Sequence, residues 1–355
     1  MNIYIQGMGC VSPQQTAGEG PFLAPVRGYE GNRLKVVDPD YKQWIADANM
    51  MRRMGRVVKM GIAAARLSMQ QAGIAMPDAI ITGTAYGCLA DTGVFLTRMI
   101  QGAEKSLSPT PFIQSTHNTV SGQIALLLGC HAYNSTFVHK GFSFESALLD
   151  SIMILRENAA QQVLTGGVDE ITDHSHAILS RFGLYKQEAI SNTTLLQSST
   201  HGTIAGEGAA FFVLGAEKGA RTVARLTGLA TVYKPASEQE VSGAIQDFLA
   251  THGLSAADID LLVAGRNGNV REDAGYTRLA ATLFPQTPVA AFKHLCGEYP
   301  TASAFATWLA AGMLRQQQVP AGVLYSGAAP RQLNRILIYN RYQGTHHAMA
   351  LLEKA

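Results

Sequence analysis

The chain has 355 residues, enough to bury a large core either as one big α/β unit or as two halves packed together. Apolar residues make up 47% and charged residues only 15%, the mark of an ordinary, lightly charged globular protein. A net charge of +2 with no Lys/Arg-rich run argues against a nucleic-acid scaffold.

In chain order, the start Met1-Asn-Ile-Tyr-Ile-Gln lacks the charged flank and apolar core of a signal peptide. No apolar run reaches the ~18 residues of a membrane span, so the expectation is a soluble cytoplasmic protein. Ile3-Tyr-Ile-Gln-Gly-Met-Gly reads as a short strand closed by glycines, followed by a Pro/Gly-rich surface loop from Ser12 to Gly31. From Asn49 the pattern turns helical and puts Arg52, Arg53, Arg56 and Lys59 on about one face. That stripe is either a solvated helix face or a docking surface for an acidic partner. Ala79 to Gly87 predicts a buried strand entering a glycine turn, Ser108 to His117 an extended, proline-set loop, and Asn118 to Gly129 a small-residue helix. Asn134 to Leu155 then reads as a strand, a sharp turn through Lys140-Gly-Phe-Ser143 and an amphipathic helix with Ala147, Leu148, Ser151, Ile152 and Leu155 on one face. Gln162 to Asp169 is a further strand and turn, and Ile204 to Gly215 a glycine-rich turn into a strand. Strands alternating with helices predict a mostly parallel sheet covered on both faces.

A second half restarts near Arg221, giving segments 1–215 and 222–355 within one unit. Its strands are expected at Ala224–Tyr233, Leu261–Ala264, Val289–Phe292, Gly322–Tyr325, Arg335–Tyr339 and Ala348–Leu352, and its helices at Glu238–His252, Gly275–Leu283 and Ala302–Gln316. The four cysteines, Cys10, Cys88, Cys130 and Cys296, form no C-x-x-C pair, so neither a zinc site nor a disulfide framework is indicated.

A turn that opens a helix is where several enzyme classes hold a nucleophile, because free backbone N–H groups and the helix dipole favour an anion there. Here the turn has no cysteine, and the one nucleophile on offer is Ser143. Gly141-Phe-Ser-Phe-Glu145 is one residue short of a Gly-x-Ser-x-Gly elbow, with His139, His117, His174, His176 and His201 as candidate bases. A hydrolase or acyltransferase is therefore one reading, and a helix-capping serine the other. Asp173-His-Ser-His176 offers metal-type ligands without a third, and reads as surface histidines in a turn. His346-His347 reads as lining or edge. Gly206-Glu-Gly-Ala has no phosphate-loop lysine, which leaves Glu207 as a structural hydrogen-bond acceptor and implies no nucleotide.

Several of these segments, in this order, resemble the β-ketoacyl synthase family of the thiolase superfamily. Met51-Arg-Arg-Met-Gly-Arg is similar to its Arg-Arg-Met-Asp-Arg segment, Ile81-Thr-Gly-Thr to its Val-Gly-Thr strand, Leu164-Thr-Gly-Gly-Val to its Ala-Gly-Gly, and Gly206-Glu-Gly-Ala to its Gly-Glu-Gly-Ala-Gly strand. Asp258-Ile-Asp-Leu-Leu stands where the family leads into its first catalytic histidine motif. The resemblance implies a thiolase-like fold of two similar αβ halves in a layered αβαβα arrangement. It also implies acyl chains delivered on the phosphopantetheine arm of an acyl carrier protein, and no metal or other cofactor.

The family's chemistry uses a cysteine on the elbow and two histidines, and this chain departs at all three. Phe142 stands at the cysteine position read from the strand, or Gly141 read back from Gly166-Gly167; Gly265 replaces the first histidine and Glu298 the second, while the family's lysine remains as Lys293. A phenyl ring forms no acyl-enzyme, and an ionised Glu298 repels an enolate. The pattern most resembles the chain length factor, the silent ketosynthase-like subunit paired with an active ketosynthase in type II polyketide systems. It implies a heterodimer with that ketosynthase, or a homodimer, with Asn134–Val138 near the dimer interface and Arg52, Arg53, Arg56 and Lys59 as the carrier-docking face. Phe142, Gly265 and Glu298 are expected to face one another at the buried centre, with Lys293 and Glu298 as an ion pair. The gate motif survives as Asn340-Arg-Tyr-Gln-Gly-Thr-His. Wording such as Pro111-Phe-Ile-Gln-Ser-Thr-His and His139-Lys-Gly-Phe-Ser-Phe-Glu-Ser-Ala-Leu resembles members from aryl polyene and flexirubin-type pigment pathways. The alternative is an active acyltransferase, hydrolase or atypical synthase using Ser143 or Glu298.

Overall fold

The computed structural model describes residues 2–18, 22–23, 25–105 and 107–355; of the loop from Ser12 to Gly31, residues 19–21 and 24 lie outside the described residues. Eleven strands form one sheet: β1 (Ile3–Val11), β2 (Ala79–Gly83), β3 (Tyr133–Phe137), β4 (Gln162–Asp169), β5 (Gly208–Gly215), β6 (Ala224–Tyr233), β7 (Leu261–Ala264), β8 (Val289–Ala291), β9 (Leu324–Ser326), β10 (Arg335–Tyr342) and β11 (His346–Glu353). The seven longest helices are α1 (Arg56–Ala72), α2 (Leu89–Gln101), α3 (Thr119–Leu128), α4 (Ser143–Arg156), α5 (Glu238–Thr251), α6 (Val270–Leu283) and α7 (Ala302–Gln316), and all but α2, which buries no residue, contribute to the cores on the sheet.

The strand order is β9-β8-β7-β10-β11-β6-β1-β5-β4-β2-β3. Outward from the β1–β6 seam, the first half runs β1-β5-β4-β2-β3 and the second β6-β11-β10-β7-β8, the same order with the same pattern of directions. The expected mostly parallel sheet is corrected to a mixed one: β2–β3, β2–β4, β7–β8 and β7–β10 are parallel, and the remaining neighbours antiparallel. β10 and β11 turn directly into each other through Gln343 and Gly344, both at positive φ (51° and 64°).

Side chains alternate across the sheet and sort the layers. Ile3, Ile5, Ile81, Val163 and Phe212 in the first half, with Leu261, Val263, Ile336, Ile338 and Leu352 in the second, pack on the central helices α4 and α7. Ile80, Leu164, Phe211 and Val213 face α1 and α3. Leu262, Leu337, Met349 and Leu351 face α5 and α6. This is helix, sheet, helix, sheet, helix. α7 is buried on every side from Ala302 to Leu314, as an all-apolar helix in mid-molecule must be.

Several sequence expectations shift. β1 does not end at its glycines. A Cβ at Gly7 would lie 2.1 Å from the Ser68 carbonyl oxygen and one at Gly9 2.2 Å from that of Ala64, so the glycines let α1 lie directly on the strand. The loop after β1 is partly interior, with Gln14 buried and its amide donating to the Leu295 carbonyl. Ser108–His117 is not extended throughout, because Pro109 opens a short helix, Pro109–Gln114, at the position where a missing N–H costs nothing. α6 begins five residues earlier than Gly275, capped by the Asn269 side chain.

The basic helix is two helices, Ala48–Arg53 and α1, broken where Met54 is extended. The stripe breaks with it. Arg56 binds Asp38 at 3.0 Å and the buried Glu207 at 2.5 Å, and Lys59 sits 5.9 Å from the Tyr41 ring, while Arg52 and Arg53 remain exposed. Glu207 is the expected acceptor, taking the N–H groups of Val36 and Ile171 as well. Among the described residues no helix is long and apolar enough to cross a membrane.

Candidate functional site

β3 runs into one 3-10 turn, Lys140–Phe142, and then into α4, with Phe142 as the N-cap residue (φ −112°, ψ 9°). A phenyl ring cannot accept from the free N–H groups there, so the place that favours an anion carries no ligand of its own. Ser143 does not fill the gap. Fully buried, its hydroxyl donates to the Lys140 carbonyl at 2.8 Å and accepts the His139 N–H at 2.9 Å, clamping the turn. The His139 ring pairs with Ser146 instead, at 3.2 Å, and among the described residues no histidine ring bonds Ser143. An activated serine needs such a base.

Phe142 and Glu298 each stand in a cluster of their own, and Gly265 packs against Asn340 and Tyr276. The first is aromatic: the Phe142 ring lies 4.7 Å from His346, 5.6 Å from His139 and 6.4 Å from Tyr233 between ring centres. The second is ionic. Lys293 donates to Glu298 Oε2 and to the Arg341 carbonyl, both at 2.8 Å, and is completely buried. The Asn267 amide bridges the same Glu298 oxygen (2.8 Å) and Glu272 (2.9 Å), while Asp273 holds the Asn267 and Gly268 N–H groups. Burial raises the Glu298 pKa, and Lys293 opposes it.

Gly265 has no room for a side chain, since a Cβ would come within 2.4 Å of Asn340 Oδ1 and 2.7 Å of the Tyr276 hydroxyl. Tyr342 joins the clusters. A Cβ on Gly141 would meet its Cβ at 2.7 Å, its hydroxyl lies 3.0 Å from that of Tyr86, and its ring lies 6.1 Å from His346. Tyr86 is set by Asp169 at the end of β4, whose carboxylate takes Thr84, the N–H groups of Ala85 and Tyr86, and Thr301; burial still pushes its pKa up to about 6.

The sequence reading names Asn340 and Glu145 without giving them roles and passes over Asn267. Glu145 takes the place of an elbow glycine in the first turn of α4, fully buried with Oε2 unpartnered. Burial pushes its pKa up to about 7, only partly offset by the Ser303 hydroxyl, its own N–H and Lys293. A glutamate inside an otherwise apolar helix face is the one signal that could have found it. Because the folded form holds this proton more tightly than the unfolded chain, its contribution to stability is complete below about pH 4.5 and is lost as pH rises through about 7. Glu145→Gln should therefore gain on the parent protein by on the order of 2–4 kcal/mol between pH 5 and pH 8, read from urea unfolding across pH. A constant difference would show that Glu145 does not titrate in this window.

The remaining candidates lie apart. His176 stacks on Tyr185 with ring centres 5.1 Å apart, Asp173 pairs with Arg33, and His347 bonds the Tyr339 hydroxyl at 2.8 Å. Among the described residues no group of three His, Cys, Asp or Glu side chains is arranged to hold a metal, and the four cysteines are free and buried. Two open clefts, of about 740 and 940 Å³, are lined by α5, α6 and Arg341, and by Gln14, Trp44 and Trp308; Phe142, Lys293 and Glu298 line neither.

The family model described as the β-ketoacyl synthase N-terminal domain matches residues 29–220. No curated protein matches the sequence. Three solved structures share the fold across the whole chain. The ishigamide ketosynthase/chain length factor does so with a TM-score of 0.83 at 19% identity, covering 100% of this chain and 99% of its own. A chain of a ketosynthase in complex with its chain length factor from Xenorhabdus doucetiae gives 0.78 at 16%, covering 100% and 98%. A chain from a type II polyketide acyl-carrier protein in complex with its hexaketide-bound ketosynthase gives 0.74 at 15%, covering 100% and 99%.

Proposed function

From the premise that the chain belongs to the β-ketoacyl synthase family, we propose that it is a chain-length-factor-like subunit, silent in condensation and paired with an active ketosynthase that supplies the cysteine. The observation that carries this reading is the elbow itself: Phe142 caps α4 where the thiol is required, and the adjacent Ser143 hydroxyl is spent on the turn. The two histidine positions support it. Gly265 is packed against Asn340 and Tyr276, and Glu298 is neutralised by Lys293, so neither steadies an enolate.

The pairing surface we propose is β3 with its flanks. It is an edge strand whose outer side is unpaired among the described residues, and Leu126, Tyr133, Val138, Leu149 and Met153 are about half exposed or more around it. The product is then a polyene acyl chain built on an acyl carrier protein by the partner. Arg52 and Arg53, not Arg56, are the docking residues left to this chain.

The test is intact-mass spectrometry after incubation with acyl-carrier thioesters, on this protein alone and with a co-expressed cysteine-bearing partner. The expected result is acylation confined to the partner and elongation only when both are present. An acyl adduct on this chain that disappears in Ser143→Ala would replace the reading with a serine acyltransferase.

A further inference from the structure

The cleft of about 740 Å³ on the outer face of the second half lies between α5, α6 and the β10–β11 hairpin. Its size is that of a site for a small organic molecule. Val241 of α5 with Leu279 and Leu283 of α6 supply an apolar wall, and Tyr339, Arg341 and His347 supply a polar floor. These three share one face of the sheet, since Arg341 and His347 are cross-strand partners and Tyr339 stands two residues before Arg341. The Tyr339 hydroxyl bonds His347 at 2.8 Å, and both side chains are buried.

Glycines opposite the guanidinium leave it room. A Cβ on Gly275 would lie 2.2 Å from Arg341 Nη1 and one on Gly344 4.0 Å from Nη2, so the group spans from α6 to the hairpin turn. Its Cζ lies 5.7 Å from the centre of the Tyr276 ring. The charge placed there is uncompensated. Glu238, the one carboxylate lining the cleft, gives both oxygens to Arg278. Glu272 offers Nη1 only its carbonyl, at 3.4 Å, because its carboxylate takes the Asn267 amide. Burial first, then Arg341, push the His347 pKa down to about 4, which leaves that ring neutral. Among the described residues Arg341 enters no ion pair, and its buried Nε has no hydrogen-bond partner.

We infer that this cleft is a binding site for a small monocarboxylic acid with an apolar body. The planar fork of Arg341 matches a planar carboxylate, and one cation balances one negative charge, where a phosphate dianion needs more. The apolar body lies against Val241, Leu279 and Leu283. The Arg341 carbonyl meanwhile holds Lys293 at 2.8 Å, so the residue that grips the acid is also one on which the buried ionic cluster is built. The inference concerns this cleft alone and does not rest on the elbow being silent.

The test is calorimetric titration of the protein with benzoate, with its neutral isostere benzamide and with acetate, against chloride at matched ionic strength, together with NMR of the labelled histidine rings. Benzoate should bind saturably and move the His347 ring signal. Benzamide lacks the charge and acetate the apolar body, and each should bind about tenfold more weakly or worse. Arg341→Met should weaken benzoate on the order of 10- to 100-fold. Gly275→Ala, whose methyl displaces Nη1 without removing the charge, should weaken it about tenfold, and it decides the matter if Arg341→Met does not fold. Equal affinity for benzamide or acetate, a fixed His347 signal, or unchanged benzoate affinity in Gly275→Ala or in folded Arg341→Met would overturn the inference.

Discussion

Lys293→Met is expected to remove about 3–5 kcal/mol of unfolding free energy, among the largest losses available to a single substitution in this protein. Lys293 has no exposed surface, its ammonium is bound to Glu298 and to the Arg341 carbonyl, and its loss strands a buried carboxyl. Glu298 then survives only by taking a proton, with Oε1 already unpartnered. The double variant Lys293→Met/Glu298→Leu should recover most of the loss and lie within about 1–2 kcal/mol of the parent, since no charge is left alone and the Asn267 amide keeps Glu272. Guanidinium melts of the two variants decide the matter. If the double variant is as unstable as the single one, the pair is a packing element and its charges are incidental.

Rebuilding the family's three catalytic residues should not rebuild an enzyme. Phe142→Cys empties an aromatic cluster and costs about 3–5 kcal/mol. At Gly265 the first carbon of histidine already overlaps Asn340 and the Tyr276 hydroxyl, which is itself engaged as acceptor of the Arg341 N–H at 2.7 Å; overpacking there adds about 1–3 kcal/mol before the imidazole is placed. Glu298→His finally leaves Lys293 beside a neutral ring. The expected outcome is a triple variant that either fails to fold or shows no malonyl decarboxylation above background. Phe142→Cys alone should stay folded and carry a thiol that an acyl thioester does not load. Turnover by the folded triple variant would mean that the site is an enzyme three substitutions away, not a rebuilt interior.

Local pattern decided what could be read from the sequence. α7 is legible in the sequence because the run from Ala302 to Leu314, small or apolar throughout, offers no polar face and leaves a helix nowhere but the interior. The strand, turn and helix around Phe142 and the edges of β6 and β7 were equally plain. Whatever depended on distant residues was not. The directions of the central strands follow from which neighbour β1 finds. The break falls at the extended Met54 and at Gly55, where a Cβ would sit 2.4 Å from the Asp91 carboxylate. The start of α6 hides in Val270-Arg-Glu-Asp, a polar stretch whose Asp273 is used inward to hold the Asn267 turn. At the site, the ring of Phe142 turns to His346 and Tyr233 because a hairpin more than two hundred residues away in sequence and the end of β6 bring them there.

The two ends of the sheet have unequal consequences for the life of the molecule in a cell. One end is blunted by the three-residue β9, while β3 presents five residues of open backbone amid Leu126, Tyr133, Leu149 and Met153. A surface of that kind is either covered soon after synthesis or recruited by other unfinished chains. On the pairing proposed for β3, copies made in excess of the covering subunit should turn over faster than paired ones, so abundance would follow the partner's supply more than this protein's own transcript.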